Sequence, residues 1–221
     1  PRILAESVPF NMEADSLNCI VLGENVNPGD PEWDIFIKEV RREMTLKAGQ
    51  RCTGIRRIFV PENKMEDAWQ ALKKALAQTT IGNPLNEKVR MGSLAGLKQR
   101  EEVRDNVKSL LASSQLIYGS LDSVELIDAD PEKGAFLGPI LLMNEKPFEA
   151  REAHEIEAFG PVSTMMPYRD LDEAIELGKL GKGSLCTTIV TADHKEARKY
   201  TIGAATHHGR ILILNNECAK E

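Results

Sequence analysis

The fold is legible first in residues 187–214, TTIVTADHKEARKYTIGAATHHGRILIL. Thr187 to Thr191 is a short β-branched, apolar run of strand length. Asp193 with Glu196 three residues on has the spacing of a helix-opening pair, whose first side chain accepts from backbone N–H groups that the helix leaves unpaired. The helix extends to about His207, where cationic side chains before Gly209 suit the negative end of the helix dipole. Arg210 to Leu214 is then a second apolar run. Strand, helix and strand of these lengths imply two parallel strands joined by a right-handed crossover.

Working outward, the same alternation recurs. NCIVL, residues 18–22, reads as a buried strand ended by Gly23, and Glu24 to Pro31 as a polar loop. Pro31 to Lys47 places Trp33, Phe36, Ile37, Val40 and Met44 at helical spacing. Arg57-Ile58-Phe59-Val60 is a strand stopped by Pro61, and Asn63 with Glu66 repeats the capping spacing. The helix they open runs through Met65, Trp69, Leu72 and Leu76 to near Ile81-Gly82. A polar loop then leads to a helix from about Ala95 to Leu111, with Val103, Val107 and Leu110 on one side. Leu116–Tyr118, Ile140–Met143 and Val162–Met166 are strand candidates. Asp170 with Glu173 opens a short helix through Ala174 and Leu177. The pattern predicts an α/β fold with a largely parallel central sheet and flanking helices. With no repeat, low-complexity tract or linker, residues 1–221 read as one domain.

Composition narrows the function. The 34 acidic against 28 basic residues, net charge −6, and the lack of a long basic block argue against a nucleic-acid partner. No apolar run is long enough for a membrane helix, and the first residues lack the apolar core of a secretory signal. Cys19, Cys52, Cys186 and Cys218 show no CxxC spacing, and with four scattered histidines they suggest no metal site. Reduced thiols in the cytoplasm fit this usage.

Three stretches carry candidate chemistry. In Gly49-Gln50-Arg51-Cys52-Thr53 a lone cysteine occupies a short glycine-containing loop between a helix and a strand. Helical N–H groups and the flanking Arg51, Arg56 and Arg57 favour a thiolate there, although burial in a core is the commoner fate of cysteine. Glu13 precedes the first strand, and a carboxylate entering an apolar layer has its pKa raised toward the range of a general base. Glu157-Ala158-Phe159-Gly160-Pro161-Val162 is a turn before a strand, with Phe159 by default a core residue. No GxGxxG or GxxxxGK[ST] loop occurs, so any dinucleotide is held differently or by residues outside the chain. A cysteine–histidine hydrolase and a non-catalytic interaction module are the alternatives at this point.

Taken in order, these stretches resemble the catalytic domain of the aldehyde dehydrogenase superfamily over essentially the whole chain. GQRCT (49–53) resembles its GQ-x-C loop and EAFGPV (157–162) its E-x-F-G-P-V motif. IGNPLNEKVRMGSLAGLKQREEV, DLDEAIELGKLGKGSLCTTIVTAD and GRILILN are similar to three further family segments. VPFNMEADSLNCIVLGENVNPGDPEW, REMTLKAGQRCTGIRRIFVP and HGRILILNNECAKE narrow the likeness to the dehydrogenase part of bifunctional ring-opening enzymes of phenylacetate degradation. The 3,4-dehydroadipyl-CoA semialdehyde dehydrogenases of benzoyl-CoA degradation are the nearest rival.

The resemblance implies that Cys52 attacks the carbon of a CoA-linked semialdehyde and that the resulting thioester is hydrolysed by water activated by Glu13. It implies that Glu157 holds the nicotinamide ribose of NADP (or NAD), with Phe159 packed beside it, and that the Cys52 N–H stabilises the oxyanion. In most relatives the general base lies in E-L-G-G-K. Here Ala14-Asp15-Ser16-Leu17-Asn18 follows Glu13, which is assigned by subfamily likeness and by its place 39 positions before Cys52. The family's coenzyme-binding domain and the fused hydratase have no counterpart in these residues. The resemblance therefore implies an excised catalytic domain, inactive alone, from a homo-oligomeric parent.

Overall fold

The computed structural model describes residues 15–218. In chain order these form β1 (Cys19–Leu22), α1 (Pro31–Thr45), β2 (Arg57–Pro61), α2 (Met65–Leu76), α3 (Leu97–Leu110), β3 (Gln115–Tyr118) and β4 (Ile140–Met143). The short α4 (Glu152–Glu155) follows, then β5 (Val162–Tyr168), α5 (Leu171–Lys179), β6 (Ser184–Val190), α6 (His194–Ala204) and β7 (His208–Leu214). The strands form one seven-stranded sheet in the order β3-β4-β5-β2-β1-β6-β7. Every neighbouring pair is parallel except β3 with β4 at one edge.

Helices cover both faces, which is why NCIVL shows no polar alternation. On one face Ile20, Leu22, Ile58 and Val60 pack against Phe36, Val40 and Met44 of α1 and Leu72 and Leu76 of α2. On the other, Cys19, Val21 and Phe59 meet Val103 and Val107 of α3, Leu177 of α5 and Tyr200 of α6. Each fully buried side chain of this size contributes about 1.5–3 kcal/mol of transfer free energy, so the buried centre of the sheet anchors the loops at its ends.

The unit read from residues 187–214 is present: β6 and β7 pair in parallel, with Thr188 beside Leu212. Asp193 Oδ1 accepts from the N–H groups of Lys195 (2.7 Å) and Glu196 (3.4 Å). The helix stops at Ala204, and His208 opens β7 instead of ending the helix. The cap at Asp170 also forms, accepting from Glu173 N–H at 2.9 Å.

The pair Asn63/Glu66 does not form a cap. Residues 62–64 make a 3-10 turn and α2 begins at Met65. Lys64 Nζ, drawn inward, donates to the carbonyls of Glu24 and Val26, both at 2.6 Å. Glu66 instead accepts from Trp69 Nε1 (2.7 Å) and Gln70 Nε2 (3.0 Å). Helix α2 ends at Leu76, short of Ile81-Gly82. The chain there pairs with Met91 and Ile127, and at Gly82 a Cβ would lie 2.0 Å from the Ile127 carbonyl oxygen. A tertiary contact thus sets each boundary.

Candidate active site

Strands β5, β2 and β1 lie side by side, so the segments entering their amino ends converge. They enclose a cavity of about 580 Å³ lined by Asp15 and Ser16 before β1, Gln50 and Cys52 before β2, and Glu155, Ile156, Glu157 and Phe159 before β5. Gln99, Glu102, Val103 and Asn106 of α3 close one side. The spacing 99, 102, 103, 106 is a single helical stripe. Reading α3 for its apolar positions alone passed over the polar members of that stripe.

The Cys52 loop is bent by three successive residues in the left-handed region, Lys47 (φ 53°), Ala48 (φ 52°) and Gly49 (φ 70°). Gly49 is required sterically as well, since a Cβ there would sit 2.2 Å from the Gly160 carbonyl oxygen. Beyond it, Gly54 N–H donates to the Arg51 carbonyl at 3.0 Å and closes a turn with Cys52 and Thr53 at its corner. Gln50 Oε1 accepts from Ala95 N–H at 2.8 Å, tying the loop to the approach to α3.

One buried guanidinium joins this loop to the EAFGPV segment. Arg56 donates through Nη2 to the Gly49 carbonyl (2.9 Å), through Nη1 to the Gly160 carbonyl (2.8 Å) and through Nε to Glu157 Oε1 (3.0 Å). Glu157 Oε2 accepts from Ser16 N–H at 2.9 Å. Burial lowers the Arg56 pKa, and the facing Glu157 carboxylate opposes that shift. Two buried charges hold here because each is also hydrogen-bonded to backbone. The sequence reading gave Arg56 no such role. Two arginines, Arg56 and Arg57, directly before the apolar run Ile58-Phe59-Val60 were the available signal.

Cys52 is exposed, not packed in a core, and Cys218 is exposed too, whereas Cys19 and Cys186 are buried. The expectation that three arginines flank the thiol is corrected. Arg51 pairs with Glu43 at 2.5 Å and Arg56 with Glu157. Arg57 is fully buried, donating to the carbonyls of Leu17, Leu177 and Gly178. Arg56 and Arg57 follow their own partners because a buried guanidinium left unpaired is costly. Among the described residues none accepts from the Cys52 backbone N–H.

None of the four histidines lines the cavity with Cys52. His154 lies beneath the sheet's end, with Nδ1 3.0 Å from Arg57 Nη1 and Nε2 2.9 Å from the Pro147 carbonyl. Burial, and then the charge of Arg57, push its pKa down to about 4. Phe159, expected in the core, is 40% exposed at the cavity rim. The Arg56 guanidinium stands 5.3 Å from its ring centre. Glu13 lies outside the described residues. Among the described residues no group of three His, Cys, Asp or Glu side chains is placed to hold a metal ion, and no helix is long and apolar enough to cross a membrane.

Residues 18–217 match the model of the Aldehyde dehydrogenase family. The chain is 38% identical over 215 residues to 3,4-dehydroadipyl-CoA semialdehyde dehydrogenase of Aromatoleum evansii, covering 97% of this chain and 42% of that protein. It is 43% identical over 133 residues to Protein MaoC of Klebsiella aerogenes, covering 59% of this chain and 38% of that one. In structure it is similar to betaine aldehyde dehydrogenase of Staphylococcus aureus solved with NAD+. The TM-score is 0.81 at 19% identity, over 95% of this chain and 39% of that one. The chain thus spans about two fifths of the length of these relatives.

Proposed function

The chain belongs to the aldehyde dehydrogenase family, and from that premise we propose that it is the catalytic domain of an NADP-dependent enzyme that oxidises a CoA-linked semialdehyde to the acid. One observation carries this reading: the exposed Cys52 shares a single cavity with Glu157 and Phe159.

Cys52 Sγ adds to the aldehyde carbon, and the Cys52 N–H, together with donors outside this chain, stabilises the resulting oxyanion. After oxidation the same sulfur holds the acyl group as a thioester. Glu13 takes a proton from the water that releases the acid. Bound nicotinamide supplies the hydride acceptor. The residues present fit its ribose end: a carboxylate has about four lone-pair sites, and Arg56 and Ser16 engage one on each Glu157 oxygen. Phe159 offers an exposed aromatic face beside them. No phosphate-binding loop occurs in the sequence, so we assign the remaining NADP contacts to residues beyond this chain. On that ground these 221 residues alone do not turn over.

The likeness over 97% of the chain to 3,4-dehydroadipyl-CoA semialdehyde dehydrogenase favours a benzoyl-CoA degradation substrate as a second reading. The three stretches that resemble the dehydrogenase part of the bifunctional enzymes favour phenylacetate degradation, and a CoA-linked semialdehyde is common to both. Four unpaired cysteines support a cytoplasmic setting, and the parent assembles as a homo-oligomer by family likeness. The test is reduction of NADP and of NAD by the full-length protein with CoA-linked and simple aldehydes. Cys52→Ala should abolish turnover. Retained activity in that variant, or oxidation confined to simple aldehydes, overturns the proposal.

A further inference from the structure

We propose that Asn18 is a positioning residue that fixes the Cys52 turn against the Ser16 segment leading into β1. The inference rests on the reading of Cys52 as the nucleophile and adds a residue to it. Asn18 is 0% exposed at the start of β1, and its carboxamide is fully engaged. Nδ2 donates to the Cys52 carbonyl (2.9 Å), the Gly54 carbonyl (3.0 Å) and the Ser16 carbonyl (3.2 Å). Oδ1 accepts from Ser16 Oγ (2.8 Å) and from the Cys186 N–H (3.0 Å).

These five contacts join three segments at one amide; Leu185 N–H to Ser16 Oγ (2.9 Å) and Cys186 Sγ to the Thr53 carbonyl (3.6 Å) link the same segments in pairs. Ser16 lies three positions after Glu13, Cys52 and Gly54 form the nucleophile turn, and Cys186 lies in β6. Nδ2 has two hydrogens and three acceptors, so the donors are shared and the two turn carbonyls are drawn to one point. Holding the Cys52 carbonyl fixes the Cys52–Thr53 peptide plane and restrains the Cα from which the Sγ-bearing side chain projects. The Ser16 contacts tie the segment that enters β1 to the same amide. A core asparagine serving only to satisfy strand polarity would need no contact with the exposed turn. Asn18 spends its donors there.

The consequence is kinetic. Misplacing a reacting group by about 1 Å costs on the order of 100-fold in rate, and a loosened turn permits displacements of that size. In the full-length protein, Asn18→Asp keeps the shape and the acceptor oxygen and removes all three donations. Asn18→Ser, smaller and uncharged, is the companion variant. In both, kcat should fall roughly 30- to 100-fold while KM changes by less than about threefold, because the loss concerns chemistry and not binding. The rate of Cys52 alkylation by iodoacetamide at fixed pH should change in both variants, whereas Cys218, exposed and outside the Asn18 contacts, should alkylate as in the parent.

Folded variants with parental kcat and a parental rate of Cys52 alkylation overturn the proposal. Unfolding of both variants overturns it equally, since that would mark Asn18 as a folding residue. Cys52→Ala separates the two readings: if it stays active, the nucleophile assignment fails. If it is inactive while the Asn18 variants behave as the parent, the positioning role alone falls.

Discussion

Gly49→Ala separates backbone strain from steric exclusion at the nucleophile loop, because the chain contains its own control. Gly49 has φ +70° and Gly29 has φ +95°, both unfavourable for a residue with a Cβ. An added Cβ at Gly29 meets nothing within 4 Å, whereas at Gly49 it falls 2.2 Å from the Gly160 oxygen, 2.4 Å from its carbonyl carbon and 2.7 Å from Pro161 Cα. All three are backbone atoms, so no flexible side chain can swing aside. The left-handed penalty is about 1–2 kcal/mol in each variant, and forced overpacking adds about 1–3 kcal/mol at Gly49 alone. One kcal/mol shifts Tm by about 2–4 °C in a protein of this size. Gly29→Ala should thus lower Tm by about 2–8 °C and Gly49→Ala by about 4–20 °C, with Gly49→Ala the larger, measured by scanning calorimetry under identical conditions. The clash also parts the Cys52 loop from EAFGPV, so Cys52 alkylation should change in Gly49→Ala and stay as in the parent in Gly29→Ala. Equal Tm shifts in the two variants would refute the steric argument.

Two further outcomes follow from buried charge. His154 and His208 have pKa values pushed down to about 4, in each case mainly by burial and next by Arg57. The unfolded chain protonates both near 6.5, so stability is complete above that pH and is lost as pH falls toward 4. His154 alone contributes on the order of 3 kcal/mol to this slope. The urea midpoint should decline steadily from pH 7 to 5, and less steeply in His154→Gln; a flat midpoint over that window contradicts the assignment. Arg56→Met leaves the Glu157 carboxylate, 5% exposed, without its cation. The loss should be about 3–5 kcal/mol in urea unfolding, with Arg56→Met/Glu157→Gln recovering a substantial part because the orphaned charge is gone. Strict additivity of the two substitutions would show that the pair is not coupled.

The parallel sheet, its helix order and the caps at Asp170 and Asp193 are legible in the sequence, because they rest on local rules. Apolar periodicity selects helix or strand, and a short side chain accepting from its own backbone needs no distant partner. Asn63 had the same local signature and failed, since Lys64 found two carbonyls from residues 24 and 26 that no spacing in residues 62–66 announces. The motifs likewise placed Cys52, Glu157 and Phe159 in order along the chain, but their order could not say that Phe159 leaves the core or that Cys52 faces solvent.

What remained hidden is long-range by nature. Arg51, Arg56 and Arg57 are nearly adjacent and chemically alike, yet they reach Glu43, Glu157 and a cage of carbonyls from Leu17, Leu177 and Gly178. Asn18 looked like the first residue of a strand and is the point where three segments meet. A buried polar group must find partners wherever the packed chain brings them. The pattern of residues therefore specifies which elements form and in what order. Which polar side chain meets which loop is set when the sheet closes and brings the amino ends of β1, β2 and β5 together.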